Sequence, residues 1–240
     1  MKKAIYVSII VIIIVAIIFT ALMLILKYEE KGETNMPFNI SKISIISTTD
    51  AEQIEDKKNL WNKAIQQNND IYIYIEKNES YQKIETIKNI KINNIKVIET
   101  PQKGEIQMYR PSTSEKELFQ NKEEYAVTEL SFLGEQQTNI QNLQISNQGG
   151  IIAFRCANEK LGNYISNEKQ INYDDLLKKI NITQDQIKAK ISFELSIILQ
   201  DEKEFKTTVE LDIPIEGVVE NGRSSIEKTD LNLVFKRIEK

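Results

Sequence analysis

The sequence predicts a single amino-terminal transmembrane α-helix followed by a mainly-β domain, an antiparallel β-sandwich with one or two short helices. Three observations predict it. Ala4 to Leu26 is an unbroken apolar run with no charged residue. The rest of the chain carries about ten short β-branched or alternating stretches separated by Asn, Gly and Pro turns, the pattern of an antiparallel sandwich. No alternation of strand and helix, internal repeat or heptad runs through them.

The apolar run predicts residues 1–3 as a cytoplasmic tail, 4–26 as a retained signal-anchor in the lipid bilayer, 27–37 as a stalk, and 38–240 as the extracytoplasmic domain. A split of that domain near 111 into two smaller β units is the alternative. A spanning helix needs about 20 apolar residues to cross a hydrocarbon core of about 30 Å. A cleaved leader has a shorter apolar core, about 7–15 residues, and a small-residue cleavage site after it. Here Lys27, Tyr28, Glu29 and Glu30 follow, and no Cys offers a lipoprotein site. Lys2 and Lys3 ahead of the run favour a cytoplasmic amino terminus. Small residues four apart, Ala4 with Ser8 and Ala16 with Thr20, offer a helix-pairing seam.

In the stalk, helix continues toward Glu30 until Gly32 and Pro37 stop it. Phe38 to Thr48 reads as a strand with a bulge near Lys42, and Asp50 to Lys58 as a polar loop. Leu60 to Gln67 fits either a helical face, through Ile54, Trp61 and Ile65, or one side of a strand, through Trp61, Lys63 and Ile65, and the following Asn68-Asn69 tips the reading to strand. Asn68-Asn69 reads as a hairpin turn into the strand Ile71-Tyr72-Ile73-Tyr74-Ile75. Further strands are expected over Thr86 to Ile98, Gly104 to Arg110, Tyr125 to Gly134, Leu143 to Ser146 and, opened by Gly149-Gly150, Ile151 to Cys156. Ser112 to Glu124 is polar, with one helical turn. Asn172 to Ile180 is the best soluble helix. Asn172 is its cap, Asp174 and Asp175 stand in its first turn, and Lys178 and Lys179 in its last. A short turn of helix begins at Thr183. Ile187 to Ile197 and Phe205 to Ile213 alternate apolar and polar residues about an Asp201 to Glu204 turn, the mark of a hairpin with one buried face. Gly217 to Asp230 reads as a loop before a last strand, Leu231 to Ile238.

Charge and composition exclude several functions. Removing Lys2, Lys3 and Lys27 from the 31 basic residues leaves 28 against 35 acidic ones, a net charge of −7 beyond the anchor. Such a domain does not suit nucleic acid, which rewards clustered Lys and Arg. Cys156 is the only cysteine, so no intrachain disulfide forms. The chain has no His, and its richness in Ile, Asn, Lys and Glu is that of an AT-rich bacterial genome. Without His there is no Ser-His or Cys-His pair and no His-ligated zinc.

No motif names a catalytic, cofactor-binding or metal-binding residue. An anchor with Arg155-Cys156 in a β-rich domain resembles the sortases, but those enzymes also need a His. Neighbours on a strand also face opposite ways, so Cys156 reads as a small buried apolar residue. An apolar amino-terminal helix with a β-rich head is similar to the type IV pilins, whose Gly-Phe cleavage point and helix Glu are missing. Ser-x-x-Lys occurs at Ser80–Lys83, Ser166–Lys169 and Ser225–Lys228 without the companion motifs of penicillin-binding proteins. Asp174 and Asp175 read as helix-start residues, and Glu210 and Asp212 as solvated strand positions. Gly149-Gly150 lacks the Lys-Ser/Thr of a phosphate loop. Tyr72, Tyr74 and Trp61 either pack under a further layer or form an aromatic contact surface.

The expectation is therefore a membrane-anchored binding or scaffolding domain with no cofactor, and an envelope protein or wall polymer as its partner. The rivals are an envelope enzyme using carboxylates or a Ser-Lys pair, and an accessory subunit of a membrane complex.

Overall fold

A computed structural model describes residues 2–57, 60–113, 116–134 and 145–238. The first element is a helix, α1 (Lys2–Lys31). Its segment Ile9–Lys31 is long and apolar enough to cross a membrane, and its side chains are exposed. Thr20 Oγ1 donates to the Ala16 carbonyl at 2.8 Å, which satisfies the hydroxyl within the helix. Gly32 ends α1 in a left-handed conformation, φ +66°, with its N–H on the Tyr28 carbonyl at 2.7 Å. A Cβ there would lie 2.2 Å from the Phe235 oxygen, so only glycine fits.

The strands are β1 (Phe38–Lys57), β2 (Leu60–Lys77), β3 (Ile87–Glu99), β4 (Glu105–Tyr109), β5 (Leu130–Leu133), β6 (Ile145–Ser146), β7 (Gly149–Ser166), β8 (Lys190–Leu199), β9 (Glu204–Asp212), β10 (Arg223–Lys228) and β11 (Lys236–Ile238). Short helices α2 (Leu176–Lys179), α3 (Gln184–Ile187) and α4 (Val218–Asn221) lie among the later strands. The larger sheet runs β10-β1-β2-β7-β4, with β6 also paired to β7. The smaller runs β11-β9-β8-β3-β5. All pairings are antiparallel. The chain thus has an apolar amino-terminal helix and a mainly-β domain of two antiparallel sheets with few helices.

Several expected elements stand where the pattern put them. The β8–β9 hairpin pairs Phe193 with Val209 and Ile197 with Phe205. The register shifts between Ile40 and Lys42, the expected bulge. Leu60 to Gln67 is strand. Thr183 opens α3 with a capping box to Gln186.

Others differ. Asp50 to Lys57 is not loop but the second half of β1; residue 58 lies outside the described residues. Its solvent-side Asp50 and Glu52 hid the strand, while pairing with β2 satisfies its backbone. Asn68-Asn69 does not turn the chain. Both lie mid-β2 and are buried, and the β1–β2 connection falls at 58–59, outside the described residues. Strand in the Tyr125 to Gly134 stretch shortens to β5, because Glu123–Tyr125 forms a 3-10 turn. Of Leu143 to Ser146, β6 holds Ile145–Ser146; 143 and 144 are outside the described residues. The Ile151 to Cys156 strand grows to eighteen residues in β7, since β2 offers an equally long partner. The Asn172 to Ile180 helix shrinks to α2, with Asp175 left-handed at φ 57° before it. Asn172 instead accepts the Asp174 N–H at 2.9 Å. Gly217 to Asp230 contains α4 and β10, the latter recruited by the edge of β1. Of Leu231 to Ile238, Lys236–Ile238 is strand.

The two sheets share one core. Ile43, Ile71, Ile73 and Phe154 from the larger meet Ile92, Ile191, Phe193 and Leu195 from the smaller. Phe154 and Phe193 pack edge to face with centroids 5.4 Å apart. β1, β2 and β7 run past the smaller sheet, and their far ends carry a second core. There Ile65 and Leu161 pack with Leu176, Leu177, Ile187 and Val218 of the short helices. Between the cores the same sheet face turns polar. Ser47, Thr49, Gln67, Asn69 and Asn158 are all buried. Ser47 Oγ donates to Asn69 Oδ1 (2.7 Å), Gln67 Nε2 donates to Ser47 Oγ (2.8 Å), and Asn69 Nδ2 donates to the Cys156 carbonyl (2.8 Å). These bonds offset much of the cost of burying amides in a sheet interior, although Thr49 Oγ1, Gln67 Oε1 and Asn158 Oδ1 are buried without a partner.

Candidate functional site

The opposite face of the larger sheet carries the candidate site. The period of two that sends Ile71, Ile73, Phe154 and Cys156 to the core sends Asp70, Tyr72, Ala153 and Arg155 outward. Register places Asp70 directly across from Arg155. Arg155 donates through Nε to Asp70 Oδ1 at 2.6 Å and through Nη2 to Oδ2 at 3.0 Å, a two-pronged pair only 13% and 17% exposed. The guanidinium also donates to Asn121 Oδ1 (3.0 Å) and lies 5.1 Å from the Phe119 ring centre. Asn121 Nδ2 donates to Asn68 Oδ1 (2.8 Å), and Asn68 Nδ2 to Asp50 Oδ2 (3.2 Å). A continuous hydrogen-bonded chain therefore runs Asp50–Asn68–Asn121–Arg155–Asp70.

The segment after β4 crosses this face and makes one wall. Leu118 and Phe119 are buried on Ala153 and Tyr72. Tyr125 packs on Tyr109 and Ala157. Between this wall and the strands lies a groove of about 610 Å³, bounded by Asp50, Glu52, Gln66, Asp70, Tyr72, Glu117 and Asn121 among others. A second hollow of about 390 Å³ continues it past Glu52, Gln66 and Asn121 toward Glu159 and Asn163. The lining is rich in carboxylates and amides. Burial, helped by Asp70, pushes the Tyr72 phenol up to about 12. Burial and the Glu159 carboxylate, 2.5 Å from its hydroxyl, push Tyr109 up as well. Both phenols are therefore neutral donors near pH 7.

Of the residues weighed from sequence, Arg155 alone enters this network, and its role there is structural. Cys156 is fully buried in the shared core, and burial pushes its thiol up to about 12, away from a reactive thiolate. The tyrosines divide between the two readings. Tyr72 is half-buried below Leu118 and Phe119 yet still lines the groove, and Tyr74 is half-buried with Lys42 Nζ 4.4 Å from its ring centre. Trp61 stands at the far end of β2 with Lys169 5.5 Å over it. Ser166 Oγ accepts the Glu168 N–H (3.0 Å), while Lys169 is taken up by Trp61. Lys228 pairs with Asp212 (3.7 Å), and Ser80 and Ser225 are exposed. Lys190 pairs with Glu210 at 2.5 Å. Gly149 presses on the Ile75 carbonyl, where a Cβ would come within 2.5 Å, so this glycine serves close strand approach. Among the described residues, no group of three or more Cys, Asp or Glu side chains is placed to hold a metal ion.

Sequence reasoning missed Asp70, Asn121 and Phe119. Asp70 reads as the edge of an apolar run, and Asn121 and Phe119 lie in a stretch without periodicity. The one available signal was charge complementarity between Asp70 and Arg155, which means nothing until β2 and β7 are paired. Comparison with protein-family models, curated proteins and solved structures gives no match.

Proposed function

We propose that this chain is a single-pass membrane protein that holds an antiparallel β-sandwich outside the cell membrane, with a cytoplasmic amino terminus, and binds a polar envelope polymer in the groove of its larger sheet. The observation that carries the anchor is the exposure of an apolar helix from Ile9 to Lys31, a surface that water does not tolerate in isolation. The observation that carries binding is the groove itself. Its floor groups are already held by one another, so it meets a ligand preorganised. Carboxylates and amides beside Tyr72 suit a ligand dense in hydroxyl or amide groups, such as a wall glycan. Binding is favoured over catalysis because Asp70 and Asp50 are engaged structurally and Cys156 is sealed in the core.

The test uses the full chain in detergent micelles, co-sedimented with purified cell-wall polymer. Gln66→Trp, on the groove face of β2, should lower binding at least about tenfold. Lys178→Ala, on α2, should leave it unchanged. Wild-type chain that stays in the supernatant would refute the polymer reading. Release of soluble fragments from the polymer would favour the carboxylate enzyme, with the rim residues Glu52 and Glu117 as first suspects. Protease added outside intact cells should degrade the domain if the orientation is as proposed.

A further inference from the structure

The end of the β-domain beside α1 rests on the bilayer surface and places Ile84 and Ile238 in its interfacial layer, we infer; this rests on the anchor reading above. The stalk is a clip. The Arg237 N–H donates to Tyr28 Oη at 2.8 Å, the Glu33 N–H donates to the Phe235 carbonyl at 2.7 Å, and Lys236 pairs with Glu29. These contacts fix a level along the helix axis. With a rise of about 1.5 Å per residue, Tyr28 stands about 3 Å above Leu26, the last apolar residue of the run, and Lys31, the end of α1 two residues before Glu33, about 8 Å above it. The headgroup layer on one side of a bilayer is about 5–8 Å thick. The strand passing from Phe235, beside Glu33, to Arg237, beside Tyr28, descends toward the membrane, and Ile238 follows at about the level of Leu26.

The neighbouring segments end at the same level. Ile238 pairs with Glu204, the first residue of β9, so the β8–β9 turn also points at the bilayer. Gln200 in that turn donates its N–H to the Thr86 carbonyl (3.0 Å), and Lys203 pairs with Glu85 (3.6 Å). That ties the loop before β3 to the same end of the domain. Ile84 in this loop is 86% exposed, a costly placement for an isoleucine in water. Ile238 is 38% exposed. Of the nearby basic groups, Lys203 is matched by Asp201 and Lys88 by Glu202, while Lys83 and Arg237, beside the two isoleucines, are exposed. Apolar insertion beside a rigid clip is the driving force, with those two cations at the headgroup level.

Single cysteines at Ile84, Ile238, Ile14 and Lys178, each in the full chain, carry a polarity-sensitive fluorophore in phosphatidylcholine vesicles doped with a lipid quencher placed near the headgroup. The native Cys156 is buried and serves as the unlabelled background. Probes at Ile84 and Ile238 should be quenched at least about threefold more than the probe at Lys178, at the opposite end of the domain. A flexible Gly-Ser insertion between Gly32 and Glu33 should erase that difference. Quenching at Ile84 and Ile238 equal to that at Lys178, with Ile14 quenched, overturns this inference and leaves the anchor intact. An unquenched Ile14 overturns the anchor reading and this inference with it. Persistence of the difference after the insertion overturns the role of the clip.

Discussion

Asn69→Ala is the sharpest test of how the larger sheet is held together. Asn69 is fully buried at the centre of β2 and joins three strands. Truncation removes the shared acceptor of Ser47 Oγ and Gln67 Nε2 and the donor to the Cys156 carbonyl, while Gln67 Nε2 keeps Ser47 Oγ at 2.8 Å. Three buried groups thus lose a partner, each at about 1–3 kcal/mol. Because Ser47 and Gln67 stay bonded to each other, the low end applies, a loss of about 3 kcal/mol, or a fall in Tm of about 10 °C for a domain of this size. Asn68→Ala is the control. Its partners, Asp50 and Asn121, line the groove, where water can replace the lost side chain, so about 1 kcal/mol is expected. Urea unfolding of the full chain in micelles, followed by the fluorescence of its single Trp61, measures both. An Asn69→Ala chain within about 0.5 kcal/mol of wild type, or one less affected than Asn68→Ala, would refute the reasoning.

A double-mutant cycle on Asp70→Asn and Arg155→Met should give a coupling of about 1–3 kcal/mol, because the pair is two-pronged and mostly buried. Coupling near zero would reduce it to an ordinary surface contact. Alkaline stability follows from Cys156 and Tyr72, both pushed up to about 12 from ordinary values of 9.0 and 10.0, chiefly by burial. Their folded-state pKa values are raised, so their contribution is intact below about pH 9 and is lost as pH rises toward 12. Cys156→Ser should flatten the Tm–pH curve between pH 9 and 10, and an unchanged slope would remove the thiol as its cause. Gly32→Ala should loosen the α1–β11 junction, because its Cβ would collide with the Phe235 carbonyl. The check is faster proteolysis near residue 33 with the urea midpoint of the domain unchanged.

Where sequence reading succeeded, local pattern and tertiary environment agreed. The β8–β9 hairpin alternates cleanly because one face meets the shared core and the other meets water. Where it failed, a long-range contact reversed a local signal. Asn68-Asn69 has turn chemistry in isolation, but Ser47 and Cys156, respectively 22 and 87 residues from Asn69, supply its bonds within a sheet. Asp50 and Glu52 look like loop residues because their side of β1 faces the groove. The candidate site was almost illegible for the same reason. Asp70, Asn121 and Arg155 become one network only when β2 pairs with β7 and the segment after β4 folds over both.

By itself, the sequence determined that Ala4 to Leu26 is a helix too apolar for water, that the remainder is largely antiparallel strand, and that histidine chemistry is absent. These follow from composition and from periods of a few residues, which local sterics and hydrophobicity set. The tertiary structure alone decided that the amides of β2 lie inside, that Arg155 is bound to Asp70 and not to Cys156, and that the stalk is a clip onto β11. Each of those depends on partners tens to hundreds of residues away, and a chain reveals such pairings only after its strands have chosen their register.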